Sequence, residues 1–126
     1  MNSLFERVSG EQFFVQLVDR FYIGVAGDPL LRPLYPEDLT EARQHLALFL
    51  MQYWGGPATY NEQRGHPRLR MRHVPFVIGP AERDAWLVHM QAAVQHMEDT
   101  TDLSSSDADE LRAYFDMAAH SLVNAP

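Results

Sequence analysis

Six histidines, ten arginines and a group of tyrosines and tryptophans hold most of the reactive chemistry available to this 126-residue chain. The histidines are His45, His66, His73, His89, His96 and His120. No two are four residues apart and no H-E-x-x-H occurs, so the pattern of a helical zinc site is absent. All ten basic residues are arginine, and there is neither a lysine nor a cysteine. That excludes lysine Schiff-base chemistry, a P-loop, a thiol nucleophile, a Cys-ligated metal and a disulfide framework.

The arginines are not spread evenly. The formal net charge is −7, yet residues 64–86 hold Arg64, Arg68, Arg70, Arg72 and Arg83 against only Glu82 and Asp84. From Arg64 to His73 there is no acid at all. A planar guanidinium cluster favours carboxylate or phosphate oxygens, although a solvated basic turn has the same composition. The overall acidity argues against nucleic acid as a partner. A single neutral imidazole beside such a cluster can be an axial ligand to haem iron, whose propionates would suit the arginines, or simply a structural histidine.

The elements that must position these residues are helical. At 46% hydrophobic and 21% charged, the chain can bury a core, and its length fits one domain over residues 1–126. Ser9 and Gln12 have capping-box spacing, followed by a stripe of Phe13, Phe14, Leu17, Val18, Phe21, Tyr22 and Val25. A second helix starts near Thr40 as N-cap, carries Ala42, Leu46, Phe49, Leu50 and Tyr53 on one face, and stops at Gly55-Gly56-Pro57. A third opens at Gly79-Pro80 with the stripe Trp86, Met90, Ala93 and Met97. The fourth opens within Ser104–Ser106, with Ser106 and Asp109 as cap pair, and carries Leu111, Tyr114, Phe115, Ala118, Leu122 and Val123. No period-2 alternation competes, so the fold class is all-α. Residues 57–78 leave a long loop in which at most a short helix fits, from Pro67 to about His73; a loop of that length is usually functional. No basic-plus-apolar leader and no apolar run of about 18 residues is present, so a cytoplasmic protein without membrane insertion is expected.

Three groups of residues carry a family resemblance. They are Tyr53-Trp54-Gly55-Gly56-Pro57 with the stretch Arg64–His73, then Glu82-Arg83-Asp84-Ala85-Trp86-Leu87, and then Arg20-Phe21-Tyr22 with Leu34-Tyr35-Pro36-Glu37-Asp38. In this order and spacing the chain resembles the truncated (two-over-two) haemoglobins of group II, over about residues 3–125. The resemblance implies a truncated globin: a two-over-two helical sandwich, the globin B and E helices over G and H, with the F helix reduced to a short turn. It implies haem b as cofactor and His73 as proximal iron ligand. It also implies Tyr22, Tyr35 and Trp86 as distal, ligand-stabilising residues, and a structural role for His66. Ala42 stands where many globins carry a distal histidine, and Ser9-Gly10 where members usually have Gly-Gly. Haem-wall candidates are Phe21, Leu34, Leu46, Phe49, Leu50, Leu69, Phe76, Trp86 and Met90, with Arg72, Arg64 and Tyr60 toward the propionates.

The activity so implied is reversible binding of dioxygen, with nitric oxide and carbon monoxide as further ligands. Three donors around a ligand of partial negative charge would slow its release, which suits nitric oxide dioxygenation or peroxidase-type chemistry with an unidentified reductase. A non-enzymatic gas sensor or oxygen store is the alternative. Packing in an apolar core is the ordinary role of such aromatics, and neither a monomer nor a homodimer is favoured by the residues.

Overall fold

Ser3 starts the first element. Its Oγ accepts from the Glu6 backbone N–H at 3.3 Å and caps the short helix α1, Leu4–Arg7. The next two residues both take positive φ, Ser9 at 68° and Gly10 at 81°. Gly10, not Ser9, is the N-cap of α2, Glu11–Ala26, and no side chain caps that end. The expected Ser9–Gln12 capping box is therefore corrected: a left-handed serine cannot present its hydroxyl as a β-region N-cap does. The computed structural model describes residues 2–65, 72–73 and 76–125. His66, Leu69 and most of the short helix expected from Pro67 lie outside the described residues; Arg72 and His73 are helical.

Asp28 follows α2, and its Oδ1 accepts from the Leu30 N–H at 2.9 Å. A 3₁₀ turn, Arg32–Leu34, leads to Tyr35 in extended conformation. The second main helix, α3, spans Thr40–Tyr53. Thr40 is its first residue rather than its cap, and the Asp38 carboxylate accepts from the Thr40 N–H at 2.9 Å. After the Gly55-Gly56 stop a short helix, α4, Thr59–Arg64, occupies part of the stretch expected to be loop. It is polar with a single buried residue, Tyr60, and so carries no stripe. Hydrogen bonds between Gln52 and Asn61, both at 3.0 Å, tie it to α3. Helix α5 runs Pro80–Thr100 from the Gly79 cap, as expected, and α6 runs Ser105–Ser121. The α6 cap is Ser104, whose Oγ accepts from the Asp107 N–H at 3.1 Å, two residues ahead of the expected Ser106.

All elements among the described residues are helical. Helix α2 lies at the centre, packed on α3 and α5, and α5 packs in turn on α6. The core consists of the α2 stripe, including Phe14, Leu17, Phe21 and Val25, against Met90, Val94 and Met97 of α5 and Leu111 and Phe115 of α6. Trp54 closes one end: its ring stacks on Phe14 and meets Tyr114 and Phe115 edge-on, and its indole N–H donates to Glu110 at 2.9 Å. Where α2 crosses α5, Gly24 leaves room for His89, whose ring nitrogen lies 2.7 Å from the Asp28 carboxylate.

Candidate functional site

A cavity of about 320 Å³ opens between α2, α3, α5, α6 and the segment around His73. Its size is that of a ligand pocket. Tyr22, Leu34, Tyr35, Leu46, Phe49, Leu50, Tyr60, His73, Phe76 and Trp86 all line it. Phe21 and Met90 do not: both are fully buried behind it, and Phe21 supports the lining by packing on Tyr22 and Trp86 with ring centres 5.0 and 5.3 Å away. Ala42 lines it as well. Sequence reasoning missed Leu31, Pro36, His45, Ile78, Glu82 and Arg83, and assigned the α6 face of Tyr114, Phe115, Ala118 and Leu122 to the core. A helical stripe marks a buried face but not whether that face meets side chains or a cavity.

The polar groups inside are few and specifically placed. Tyr22 and Tyr35 meet edge to face, ring centres 5.6 Å apart. Burial pushes the Tyr35 phenol up to about 12, with the polar groups of Trp86 and Tyr22 acting the other way. The Tyr22 phenol is pushed up further by its own burial, and the neighbouring Tyr35 adds to the shift. An indole N–H can only donate. Tyr22, Tyr35 and Trp86 thus bring three possible donors, two phenol O–H groups and one indole N–H, to the same cavity.

Elsewhere on the wall, the half-buried His73 lies edge-on to Phe76, ring centres 6.4 Å apart, and its backbone oxygen accepts from the Phe76 N–H at 3.0 Å. Arg72 places its guanidinium 5.9 Å from the centre of the Tyr60 ring and donates to the Arg64 carbonyl at 2.8 Å. The exposed Arg64 reaches His45, 2.8 Å from Nδ1. Burial, then the Arg64 charge, holds His45 below the usual histidine range and so neutral. Both guanidiniums therefore border residues of the cavity wall without lining it themselves.

This donor set suits one kind of guest. Among the described residues no group of three or more His, Cys, Asp or Glu could hold a bare metal ion. Two imidazoles, His45 and His73, in a largely aromatic and aliphatic wall fit a haem, with one of them available to hold its iron. Arginines bordering the cavity fit carboxylates at the haem's edge.

Comparison with known proteins agrees with this chemistry. The family model described as bacterial-like globin matches residues 3–124. A group 2 truncated haemoglobin, YjbI of Bacillus subtilis (strain 168), is 49% identical over 96 residues, covering 76% of this chain and 72% of the relative. The solved structure of a thermostable haemoglobin from Thermobifida fusca superposes with a TM-score of 0.93 at 53% identity, over 99% of both chains. That of the group II truncated haemoglobin from Bacillus anthracis gives 0.91 at 40% identity, over 100% of this chain and 99% of that one.

Proposed function

The chain belongs to the bacterial-like globin family and, within it, to the group II truncated haemoglobins, and on that premise we propose that it binds haem b through His73 and retains dioxygen for redox chemistry rather than rapid delivery. Membership implies haem and small gas ligands; the rest is our reading. Covalent c-type attachment would need cysteines, and the chain has none, which supports haem b. Residues 1–126 act as one globin domain. No helix among the described residues is long and apolar enough to cross a membrane, and we place the protein in the cytoplasm beside a reductase.

One observation carries the reading: Tyr22, Tyr35 and Trp86 line the same largely apolar cavity as His73. His73 would hold the haem iron, which when bound would supply the site where a diatomic ligand gains partial negative charge. The Tyr22 and Tyr35 O–H groups and the Trp86 indole N–H, all on the cavity wall, are the donors available to such a ligand. A hydrogen bond to a charged acceptor contributes about 1.5–3 kcal/mol, a factor of about ten to a hundred in ligand release. A neutral ligand such as carbon monoxide gains less, so the donors favour dioxygen. Slow release gives nitric oxide, or peroxide on the ferric protein, time to react.

The test begins with colour. The protein reconstituted with haem shows a Soret band, and His73→Gly loses the five-coordinate ferrous spectrum. Rapid mixing of the oxygen-loaded protein with nitric oxide then yields nitrate faster than dioxygen leaves. Simple dioxygen loss without nitrate refutes the redox part of the proposal, and an unchanged ferrous spectrum in His73→Gly refutes the ligand assignment.

A further inference from the structure

Asn124, just beyond α6, spends its whole side chain on the segment that carries His73. Its Nδ2 donates to the Phe76 carbonyl at 2.9 Å and to the His73 carbonyl at 3.3 Å. Its Oδ1 accepts from the Ile78 N–H at 2.8 Å. The backbone N–H groups of Asn124 and Ala125 both donate to the Ile78 carbonyl, at 2.8 and 3.1 Å. The two donors and the acceptor of a carboxamide are thus used on three residues, His73, Phe76 and Ile78, all of which line the cavity.

We propose that Asn124 is a positioning residue for His73: it fixes the backbone on which the imidazole stands and so sets the ring's approach to the iron. This rests on the reading of His73 as the iron ligand. The backbone bond from the Phe76 N–H reaches the His73 oxygen from within the same segment and moves with it. Asn124 reaches it from the end of α6, 51 residues away in the chain, and so ties it to a separate helix. The residue type matters as well. Aspartate would keep the acceptor for Ile78 but turn a carboxylate oxygen toward two carbonyl oxygens.

The alternative is that Asn124 only pins the chain after α6. Asn124→Asp separates the two, because it keeps the Ile78 bond and both backbone bonds while losing the donors to His73 and Phe76. In the ferrous haem-loaded protein, resonance Raman of Asn124→Asp and Asn124→Leu should show the iron–histidine stretch shifted or broadened. Haem transfer to an excess of acceptor apoglobin should be faster by about threefold to tenfold, the scale of one or two neutral hydrogen bonds. The C–O stretch of the carbon monoxide complex, which reports the Tyr35 side, should stay in place. Amide hydrogen exchange should rise at Phe76 in both variants and at Ile78 in Asn124→Leu alone, but not in α2 or α3, and this holds with or without haem. An iron–histidine band and haem-loss rate equal to wild type in both variants overturn the proposal. A band that is also unchanged in His73→Gly overturns the ligand assignment beneath it, which is a separate outcome.

Discussion

Replacing Gly24 by alanine tests how the cavity is held in shape. Gly24 lies on α2 two residues after Tyr22, and His89 lies on α5 three residues after Trp86. A Cβ at Gly24 would stand 2.2 Å from His89 Nδ1, 2.7 Å from Cγ and 3.1 Å from Cβ. The root of the ring is involved as well as its tip, so His89 cannot turn aside and must be displaced together with its contact to Asp28. Overpacking of this kind costs about 1–3 kcal/mol, here toward the upper end. Helix propensity returns about 1 kcal/mol for glycine to alanine. The expected net loss is about 1–2 kcal/mol, or a melting temperature lower by about 4–8 °C for a domain of this size. In a His89→Ala background the obstacle is gone, and the same substitution should stabilise by about 1 kcal/mol. The interaction in the double-mutant cycle is then about 2–3 kcal/mol. Thermal unfolding of the four haem-loaded proteins measures it. If Gly24→Ala stabilises the wild-type background as it does His89→Ala, the close approach of α2 and α5 is not what the glycine serves. Dioxygen release from Gly24→Ala should also change, since Tyr22 and Trp86 are carried by the two helices forced apart.

Tyr35→Phe, Tyr22→Phe and Trp86→Phe should each speed dioxygen release in stopped-flow displacement, by up to about a hundredfold for the residue that bonds the ligand directly; release unchanged in all three would refute the distal-donor reading. Because burial pushes Tyr35 up to about 12, the wild-type release rate should stay flat from about pH 7 to about pH 10, and a step near the ordinary tyrosine value of about 10 would refute it. Ser9→Gly should raise stability by up to about 1 kcal/mol in urea unfolding, since Ser9 sits at φ 68° where a side chain is strained. His89 and the Leu30 N–H hold the Asp28 carboxyl below its ordinary 3.8, so its contribution is present above that value and lost as pH falls through the folded one; the stability gap between wild type and Asp28→Asn should close on acidification below 3.8.

What the chain's residues disclosed in advance followed local rules. Pro80 behind Gly79 starts α5 and Gly55-Gly56 stops α3, because a missing N–H and a freely turning backbone act on their own neighbours. Caps slipped where two residue types could serve, as with Ser104 and Ser106, or where a serine took the left-handed turn that glycine normally takes. Helix α4 escaped notice because it is short and polar, and its anchors on Gln52 are tertiary. His45 read as one histidine among six, and only its place between Arg64 and the cavity distinguishes it. The family resemblance supplied the roles assigned to His73, Tyr22, Tyr35 and Trp86; residue chemistry alone left each of them open to a core-packing reading.

The cavity residues share a mode of support that no local pattern reveals. Tyr35, Tyr22, Trp86 and His73 are each held from outside the cavity by a polar or steric tie to a residue that does not line it. Arg32 donates to the carbonyls of Pro36 at 2.8 Å and Glu37 at 2.6 Å, and fixes the backbone on which Tyr35 stands. His89, seated against Gly24 and bonded to Asp28, sets Tyr22 against Trp86. Asn124 holds the carbonyl of His73. Hydrogen bonds placed inside the cavity would compete for the donors that a ligand must find and would bring water with them. Set behind it, they leave the walls apolar, so a donor such as Tyr35 needs no reorganisation when charge develops on a ligand. It follows that substitutions at Arg32, Gly24 or Asn124, none of which lines the cavity, should alter ligand release more than conservative changes to wall residues such as Leu46 or Phe49, which supply bulk but no direction.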